Sequence, residues 1–108
     1  GVLVPYSEKN PLLDIVDELR LPVILVVGNK LGAINHTLLT IEALRQRGLV
    51  VKALVFSNIF SNQDKEVLAD NIDIIQKFSK IELIRKFECF GDSQPEFLRD
   101  KGFWTCFL

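Results

Sequence analysis

The chain has 108 residues, of which 48% are apolar, and a formal net charge of −1 at pH 7. This length suits one domain or a piece of one, and the apolar share excludes intrinsic disorder. Lys and Arg number 13 and Asp and Glu number 14, so the charge balance gives no indication of nucleic-acid binding. The sequence contains no basic amphipathic segment of the kind that binds a membrane surface. We therefore expect neither nucleic acid nor membrane as a partner.

Cysteine usage and the apolar runs are typical of a cytoplasmic protein. Cys89 and Cys106 match no metal-binding spacing, and we interpret both as reduced core residues. The longest apolar run, from Leu21 to Val27, is far too short to span a bilayer. We predict a cytoplasmic location and no metal ligands in this chain.

The beginning of the chain is unusual. It starts with glycine, contains no methionine and enters almost at once an apolar run, Val2-Leu-Val-Pro5. We interpret the chain as the later part of a longer protein. Residues 1–108 are then expected to be the C-terminal part of a single domain.

The first predicted elements are a helix and a strand. Residues Val2–Tyr6 are expected to be a short strand or a loop end, because Pro5 limits regular pairing. Asn10 is expected to cap a helix over Pro11–Arg20, in which apolar residues recur at helical spacing. A leucine–proline pair then breaks the helix, and the continuous apolar run up to Val27 predicts a strand buried on both faces.

The rest of the chain continues this alternation. A helix is predicted from Ile34 to the sequence Arg45-Gln-Arg47-Gly48, because basic residues suit a last turn and glycine suits the position beyond it. The further predictions are a buried strand over Val50–Phe56, a helix over Asp64–Phe78, a strand over Ile81–Phe87 and a short helix over Pro95–Lys101. This order predicts an α/β fold, a parallel sheet with crossover helices.

The best candidate site is the glycine loop from Gly28 to Asn35, which joins a predicted strand to a predicted helix. Ligands of parallel α/β sheets bind beyond the carboxyl ends of strands, and the open N–H groups of a helix start favour an anion. We therefore predict a carboxylate or phosphate there, and the Asn35 side chain either caps the helix or faces this ligand. His36, the only histidine, is interpreted as a helix-start residue that hydrogen-bonds locally rather than as a general base. Lys30 is interpreted as solvent-exposed rather than as an anion ligand.

Polar residues also follow the second predicted strand. Ser57 and Asn58 end this strand, where they either meet a ligand or form a turn. Neither Gly-x-x-x-x-Gly-Lys-Ser/Thr nor Gly-x-Gly-x-x-Gly occurs, so a nucleoside triphosphate site needs residues mainly from outside this chain. The charged residues of the next helix are interpreted as its solvated face: Asp64, Lys65, Glu66 and Asp70.

The segment around the glycine loop carries a family resemblance. It reads Leu21-Pro-Val-Ile-Leu-Val-Val-Gly-Asn-Lys-Leu-Gly-Ala-Ile-Asn-His-Thr-Leu-Leu-Thr40. This segment closely resembles the corresponding part of dethiobiotin synthetases, and the match continues to Leu49. The opening Gly1-Val-Leu-Val-Pro5 resembles the residues directly after the Glu-Gly-Ala-Gly-Gly motif of that family, with Gly1 as the last glycine. The resemblance implies a P-loop NTPase-like, Rossmann-like parallel sheet, of which this chain is the C-terminal part only.

The family resemblance also implies an activity. Dethiobiotin synthetases use ATP and Mg²⁺ to carboxylate 7,8-diaminopelargonate with carbon dioxide or bicarbonate. ATP phosphorylates the resulting carbamate, and the neighbouring amine then closes the ureido ring, releasing ADP and phosphate. The family works as a homodimer, so the resemblance implies a second copy of the chain as a partner.

Site residues follow by position from the same resemblance. Gly32, Ala33, Ile34 and Asn35 would hold the carboxylate tail of the substrate for the active site of the opposite subunit. Ser57 and Asn58 would lie where the family reads adenine with an asparagine: an ungapped alignment puts Ser57 at that place and Asn58 one residue later.

The catalytic residues of the family precede the segment that matches Gly1. The P-loop with its lysine and threonine, the magnesium-binding aspartate and the glutamate of Glu-Gly-Ala-Gly-Gly have no counterpart in these residues. We therefore predict no catalytic residue in this chain and no activity of the chain alone. The alternatives are a half-length binding or regulatory module derived from a P-loop protein, and an amidoligase-type or partitioning-type P-loop protein.

Overall fold

The computed structural model describes residues 1–58, 64–87 and 101–105, and helices alternate with strands along them. The elements are α1 (Leu12–Leu19), β1 (Val23–Gly28), α2 (Ala33–Gln46), β2 (Val51–Ser57), α3 (Lys65–Ser79), β3 (Ile84–Phe87) and α4 (Lys101–Thr105). The predicted α/β alternation is confirmed. The predicted helix over Pro95–Lys101 lies outside the described residues except for Lys101, and both cysteines lie outside them. None of the described helices combines the length and the hydropathy that crossing a membrane requires.

The three strands form one parallel sheet in the order β1-β2-β3. Gly28, the last residue of β1, is paired with Ser57, and Ser57 is paired with Phe87. The three strands therefore end side by side at one edge of the sheet. In parallel α/β sheets this edge is the place where ligands bind.

The central strand β2 is the most deeply buried element. Leu54 and Phe56 are fully buried, as the apolar run predicted. The prediction that β1 is buried on both faces is wrong, because Val26 is 65% exposed. Among the described residues β1 pairs with β2 alone and is an edge strand of the sheet. The face that carries Val26 is, in addition, open to solvent.

The core lies between the sheet and the two longest helices. Ile41 and Leu44 of α2 and Ile75 of α3 are buried in the same cluster as Leu54 and Phe56 of β2. Burying each such side chain stabilises the fold by about 1.5–3 kcal/mol relative to an exposed position. This packing fixes α2 and α3 against the sheet and so fixes where their first residues lie.

The start of α1 differs from the prediction. Asn10 makes no side-chain cap: the N-cap position is occupied by Pro11, without a side-chain hydrogen bond. The N–H groups of Leu12 and Leu13 donate instead to the backbone oxygens of Val4, at 2.9 Å, and Val2, at 2.8 Å. The opening segment thus satisfies the open N–H groups of the helix through its backbone, so a side-chain cap is unnecessary.

Two other helix ends follow the sequence signals. The helix α2 ends before Gly48, whose φ of +72° suits glycine. In α3, the Asp64 side chain accepts a hydrogen bond from the N–H of Glu66 at 2.8 Å and so caps the helix start.

Ion pairs join α1 to the end of α2. Arg47 contacts Asp14 at 3.0 Å and Asp17 at 3.3 Å, and hydrogen bonds to these two carboxylates raise the pKa of its guanidinium. Arg20 pairs with Asp17 and also donates to the backbone oxygen of Arg47 at 3.3 Å. These contacts are exposed, so they orient α1 more than they stabilise it.

We predict that Leu44→Ala lowers the free energy of unfolding by about 2–5 kcal/mol, because the fully buried side chain leaves a cavity. Gln46→Ala is the control on the same helix, and it should cost about 0.5 kcal/mol or less, because Gln46 is exposed. Urea denaturation followed by circular dichroism measures both. Equal losses would contradict the orientation of α2.

Candidate functional site

A short loop carries the chain from β1 into α2. The backbone N–H of Ala33 donates to the oxygen of Lys30 at 3.0 Å, which closes a turn before the helix. Gly32 is the N-cap residue, with φ of +86° and no side-chain capping bond. A Cβ on Gly32 would meet no atom within 4 Å, so backbone conformation rather than space favours glycine here.

The start of α2 leaves room for an anion. The N–H of Ala33 is hydrogen-bonded to the oxygen of Lys30. The next N–H groups of the helix start have no partner within the helix, and Gly32 contributes no side chain to cap them. Ala33 is buried, Ile34 is half-buried and Asn35 is exposed. Of the two roles predicted for Asn35, capping is excluded because the helix begins two residues earlier, at Ala33. Its second role, facing a ligand, stays a prediction.

Lys30 and His36 both line one surface cavity of about 470 Å³. Gly28, Ala33 and Thr37 line the same cavity, which therefore lies beside the carboxyl end of β1. Both basic residues are exposed, as predicted for Lys30. The backbone N–H of His36 donates to the oxygen of Gly32 at 3.3 Å, as in any first helical turn, and the role of its side chain stays a prediction.

Three asparagine side chains form a hydrogen-bonded group under this loop, which we name the amide cluster: Asn29, Asn58 and Asn71. The Asn29 Nδ2 donates to Asn58 Oδ1 at 2.9 Å and to the backbone oxygen of Leu68 at 3.0 Å. The Asn71 Nδ2 donates to Asn29 Oδ1 at 2.9 Å and to the backbone oxygen of Lys30 at 3.1 Å. The cluster thus joins the ends of β1 and β2 to α3.

Sequence reasoning missed two members of the cluster. Asn29 is fully buried and Asn71 is 4% exposed, although asparagine is usually a surface residue. The available signal was spacing: Asn71 follows Leu68 by three residues and precedes Ile75 by four, so it lies on the apolar stripe of α3. A polar residue in such a stripe needs a buried partner.

The two residues that end β2 have different surroundings. Ser57 is buried, and its backbone oxygen accepts the N–H of Asn29 at 3.0 Å. Asn58 is half-buried, and its N–H donates to the backbone oxygen of Phe87 at 2.8 Å. The Asn58 side chain is therefore held by the amide cluster at a position that solvent still reaches. The predicted solvated face of α3 is confirmed, since its charged residues are exposed: Asp64, Lys65, Glu66 and Asp70.

Metal ligands do not gather at this edge of the sheet. Within residues 1–58, 64–87 and 101–105, no group of three or more His, Cys, Asp or Glu side chains could hold a metal ion. The chemistry available at the edge is that of backbone N–H groups, amides and two basic side chains.

The fold defines a Rossmann-like parallel α/β protein in which a glycine-containing loop joins an edge strand to a helix start. A sequence profile for a family described as an AAA domain matches residues 1–95, and the chain belongs to that family. The predicted P-loop NTPase-like fold class is thereby confirmed.

Curated relatives are named as enzymes of biotin biosynthesis. The ATP-dependent dethiobiotin synthetase of Lawsonia intracellularis is 42% identical over 87 residues, which are 81% of this chain and 39% of that protein. The enzyme of the same name from Akkermansia muciniphila is 40% identical over 79 residues, 73% of this chain and 37% of that protein. The resemblance to dethiobiotin synthetases is confirmed, and the chain spans about two fifths of the length of these two relatives.

We predict that Asn29→Ala lowers the free energy of unfolding by about 1–3 kcal/mol or more, because it leaves buried amide groups without partners. Asn35→Ala is the control, since the Asn35 side chain is exposed, and its effect should stay within about 0.5 kcal/mol. Urea titration of both variants measures the difference. A small loss for Asn29→Ala would show that the buried amide cluster is absent in solution.

Proposed function

We propose that the chain is the C-terminal part of an ATP-dependent dethiobiotin synthetase. The observation that carries this proposal is the identity to the Lawsonia enzyme, which extends over 81% of the chain. The complete enzyme would carboxylate 7,8-diaminopelargonate with carbon dioxide or bicarbonate and close the ureido ring with ATP.

In this proposal the loop Gly32–Asn35 binds the carboxylate tail of the substrate. The helix start gives this loop N–H groups and the positive end of a helix dipole, both of which favour a carboxylate. The missing side chain at Gly32 supports the assignment, because an anion approaches the backbone without obstruction. The exposed side chain of Asn35 adds an amide that hydrogen-bonds to a carboxylate oxygen.

We further propose that the enzyme is a homodimer in which this loop serves the active site of the opposite subunit. Two exposed leucines near the loop support a dimer surface: Leu31 is 82% exposed and Leu39 is 61% exposed. Burial of apolar area of this kind stabilises protein association. A cavity of about 380 Å³ beside Leu39, lined also by Leu3 and Ala43, offers space for a partner side chain.

The nucleotide would approach the end of β2. Ser57 and Asn58 are both candidates for the adenine contact, and the half-buried Asn58 amide is the more accessible of the two. For Mg²⁺ no comparable candidates exist among the described residues, because no group of three or more His, Cys, Asp or Glu side chains there could hold a metal ion. The described residues therefore do not supply a three-ligand acidic site for Mg²⁺, and we propose that the complete enzyme binds Mg²⁺ through residues outside them.

We expect the isolated 108-residue chain to hydrolyse ATP no faster than the buffer blank. The sequence lacks Gly-x-x-x-x-Gly-Lys-Ser/Thr, whose backbone and lysine hold the phosphates. Phosphate release with and without the chain measures this. Hydrolysis above the blank, abolished by Asn58→Ala, would contradict the assignment of the chain to the part without the P-loop.

A fusion enzyme tests the proposed function directly. We define it as Gly1–Leu108 of this chain joined to the segment of the Lawsonia intracellularis enzyme that precedes the matched region. The fusion is expected to form dethiobiotin from diaminopelargonate, bicarbonate and ATP.

The coding DNA upstream of Gly1 provides a second test. An in-frame Gly-x-x-x-x-Gly-Lys-Thr there would support the same proposal. A start codon close to Gly1 would favour the half-length binding module instead.

We predict that Asn35→Asp in the fusion enzyme raises KM for diaminopelargonate at least tenfold, because a second carboxylate repels the substrate tail. Tenfold corresponds to about 1.4 kcal/mol. Protection against heat by diaminopelargonate should weaken in parallel. Asn10→Asp is the matched control, since it adds the same charge at an exposed position before α1. Equal KM values for the two variants would contradict the substrate-tail assignment.

A further inference from the structure

We infer that Asn71 is a positioning residue. It holds the loop Gly32–Asn35, which we name the carboxylate loop, and Asn58 in one fixed geometry. This inference rests on the proposed function for the identity of the ligand that the loop binds. Asn71 lies on α3, whereas Gly32–Asn35 and Asn58 follow β1 and β2. Through the amide cluster, α3 controls the relative placement of the two loops to which we assign the substrate tail and the nucleotide.

The first step is the contact of Asn71 with the loop. The Nδ2 of Asn71 uses both of its hydrogens, one on Asn29 Oδ1 at 2.9 Å and one on the backbone oxygen of Lys30 at 3.1 Å. That oxygen also accepts the N–H of Ala33 at 3.0 Å. The carbonyl oxygen of Lys30 therefore accepts hydrogen bonds from the Asn71 side chain of α3 and from the N–H of Ala33, the first residue of α2. A displacement of Asn71 would consequently displace the start of α2.

The second step is the contact with the neighbouring strand end. The Asn29 Oδ1 accepts a hydrogen bond from Asn71, and the Asn29 Nδ2 donates to Asn58 Oδ1 and to the backbone oxygen of Leu68. Its backbone N–H donates to Ser57 at 3.0 Å. Asn29 is fully buried, so no water competes for these bonds. The Asn58 side chain is consequently oriented by the same two residues that hold the loop.

The third step concerns why amides occupy this place. A buried polar group is costly without its partner, whereas apolar residues of the same shape fill such a space at little or no cost in stability. Stability alone therefore does not require three asparagines. Directional hydrogen bonds do fix angles and distances, which apolar packing leaves adjustable. The cluster suits a region where two ligand loops must keep one geometry.

The expected functional signature follows from the position of the substrate tail. The tail does not react, so contacts to it are the same in the ground state and in the transition state. Loss of such uniform binding raises KM and leaves kcat nearly unchanged. A purely structural residue would instead lower the amount of active protein, which lowers the apparent kcat.

Hydrogen exchange of the 108-residue chain tests the positioning without any catalysis. In Asn71→Leu, the amide of Ala33 is expected to exchange at least tenfold faster, because its acceptor oxygen is no longer held. Ser79→Ala is the matched control: Ser79 is buried on the same helix, and its Oγ accepts the N–H of Ile81 at 3.3 Å, at the opposite end of α3. An equal increase in both variants would overturn the inference.

A double variant separates positioning from folding. Asn29→Leu combined with Asn71→Leu replaces the two buried members of the cluster by apolar side chains and should retain a folded core. Neither substitution leaves a buried amide at the other position, and the Asn58 side chain, which loses its partner, is reached by solvent. Fast exchange at Ala33 should persist in this variant. A return of Ala33 to the wild-type exchange rate would show that any well-packed side chain suffices, and it would overturn the inference.

Kinetics of the fusion enzyme supply the second test. Asn71→Leu is expected to raise KM for diaminopelargonate at least tenfold while kcat changes less than twofold, and Ser79→Ala is expected to leave this KM unchanged. An unchanged KM in Asn71→Leu would overturn the inference even if the fusion is fully active. An inactive parent fusion would instead contradict the proposed function, and the exchange experiment would then decide the role of Asn71.

Discussion

The structure depends above all on the parallel register that ends β1 and β2 together. Gly28 is paired with Ser57, so the residues after both strands are neighbours although 29 positions separate Asn29 from Asn58. Because the strands end there, backbone groups and side chains of two loops share one small region. The amide cluster joins these loops to α3. The candidate site is thus a consequence of strand register first and of particular side chains second.

Local patterns were enough to predict the elements but less so their surroundings. The apolar runs and the helical spacing predicted α1, β1, α2, β2, α3 and β3 within three residues of their observed bounds. Gly48 and Asp64 ended and began helices as expected, because both act on residues next to them in the chain. The cap predicted for Asn10 failed because Val2 and Val4, distant by several residues, supply backbone oxygens to α1. Local propensity does not report such contacts.

The candidate site also has one part that the sequence predicted and one part that it did not. The glycine loop was found from the sequence because a strand, a glycine and a helix start adjoin one another, and the family resemblance assigned a carboxylate to it. Asn29 and Asn71 were not found, since 42 positions separate them. The place of Asn71 on the apolar stripe of α3 indicates burial but does not say which residue is its partner. Their partnership exists only once α3 packs on the sheet. Buried polar networks are generally of this kind: each member is explained by the others and not by its neighbours in sequence.

The exposed face and the open edge of β1 support the proposal that the chain is part of a longer enzyme. A parallel strand is normally covered on both faces and paired on both sides, yet Val26 is 65% exposed and, among the described residues, β1 pairs only with β2. The curated relatives are more than twice as long as the part they share with this chain. Further strands beside β1 would pair with its open edge, and the helices that connect them would cover the face that carries Val26. Such strands would also bring a phosphate-binding loop to the same edge of the sheet. In the proposed dimer the loop Gly32–Asn35 would then serve the opposite subunit and Asn58 the nucleotide, and the amide cluster, through Asn71, would fix how the two are placed relative to each other.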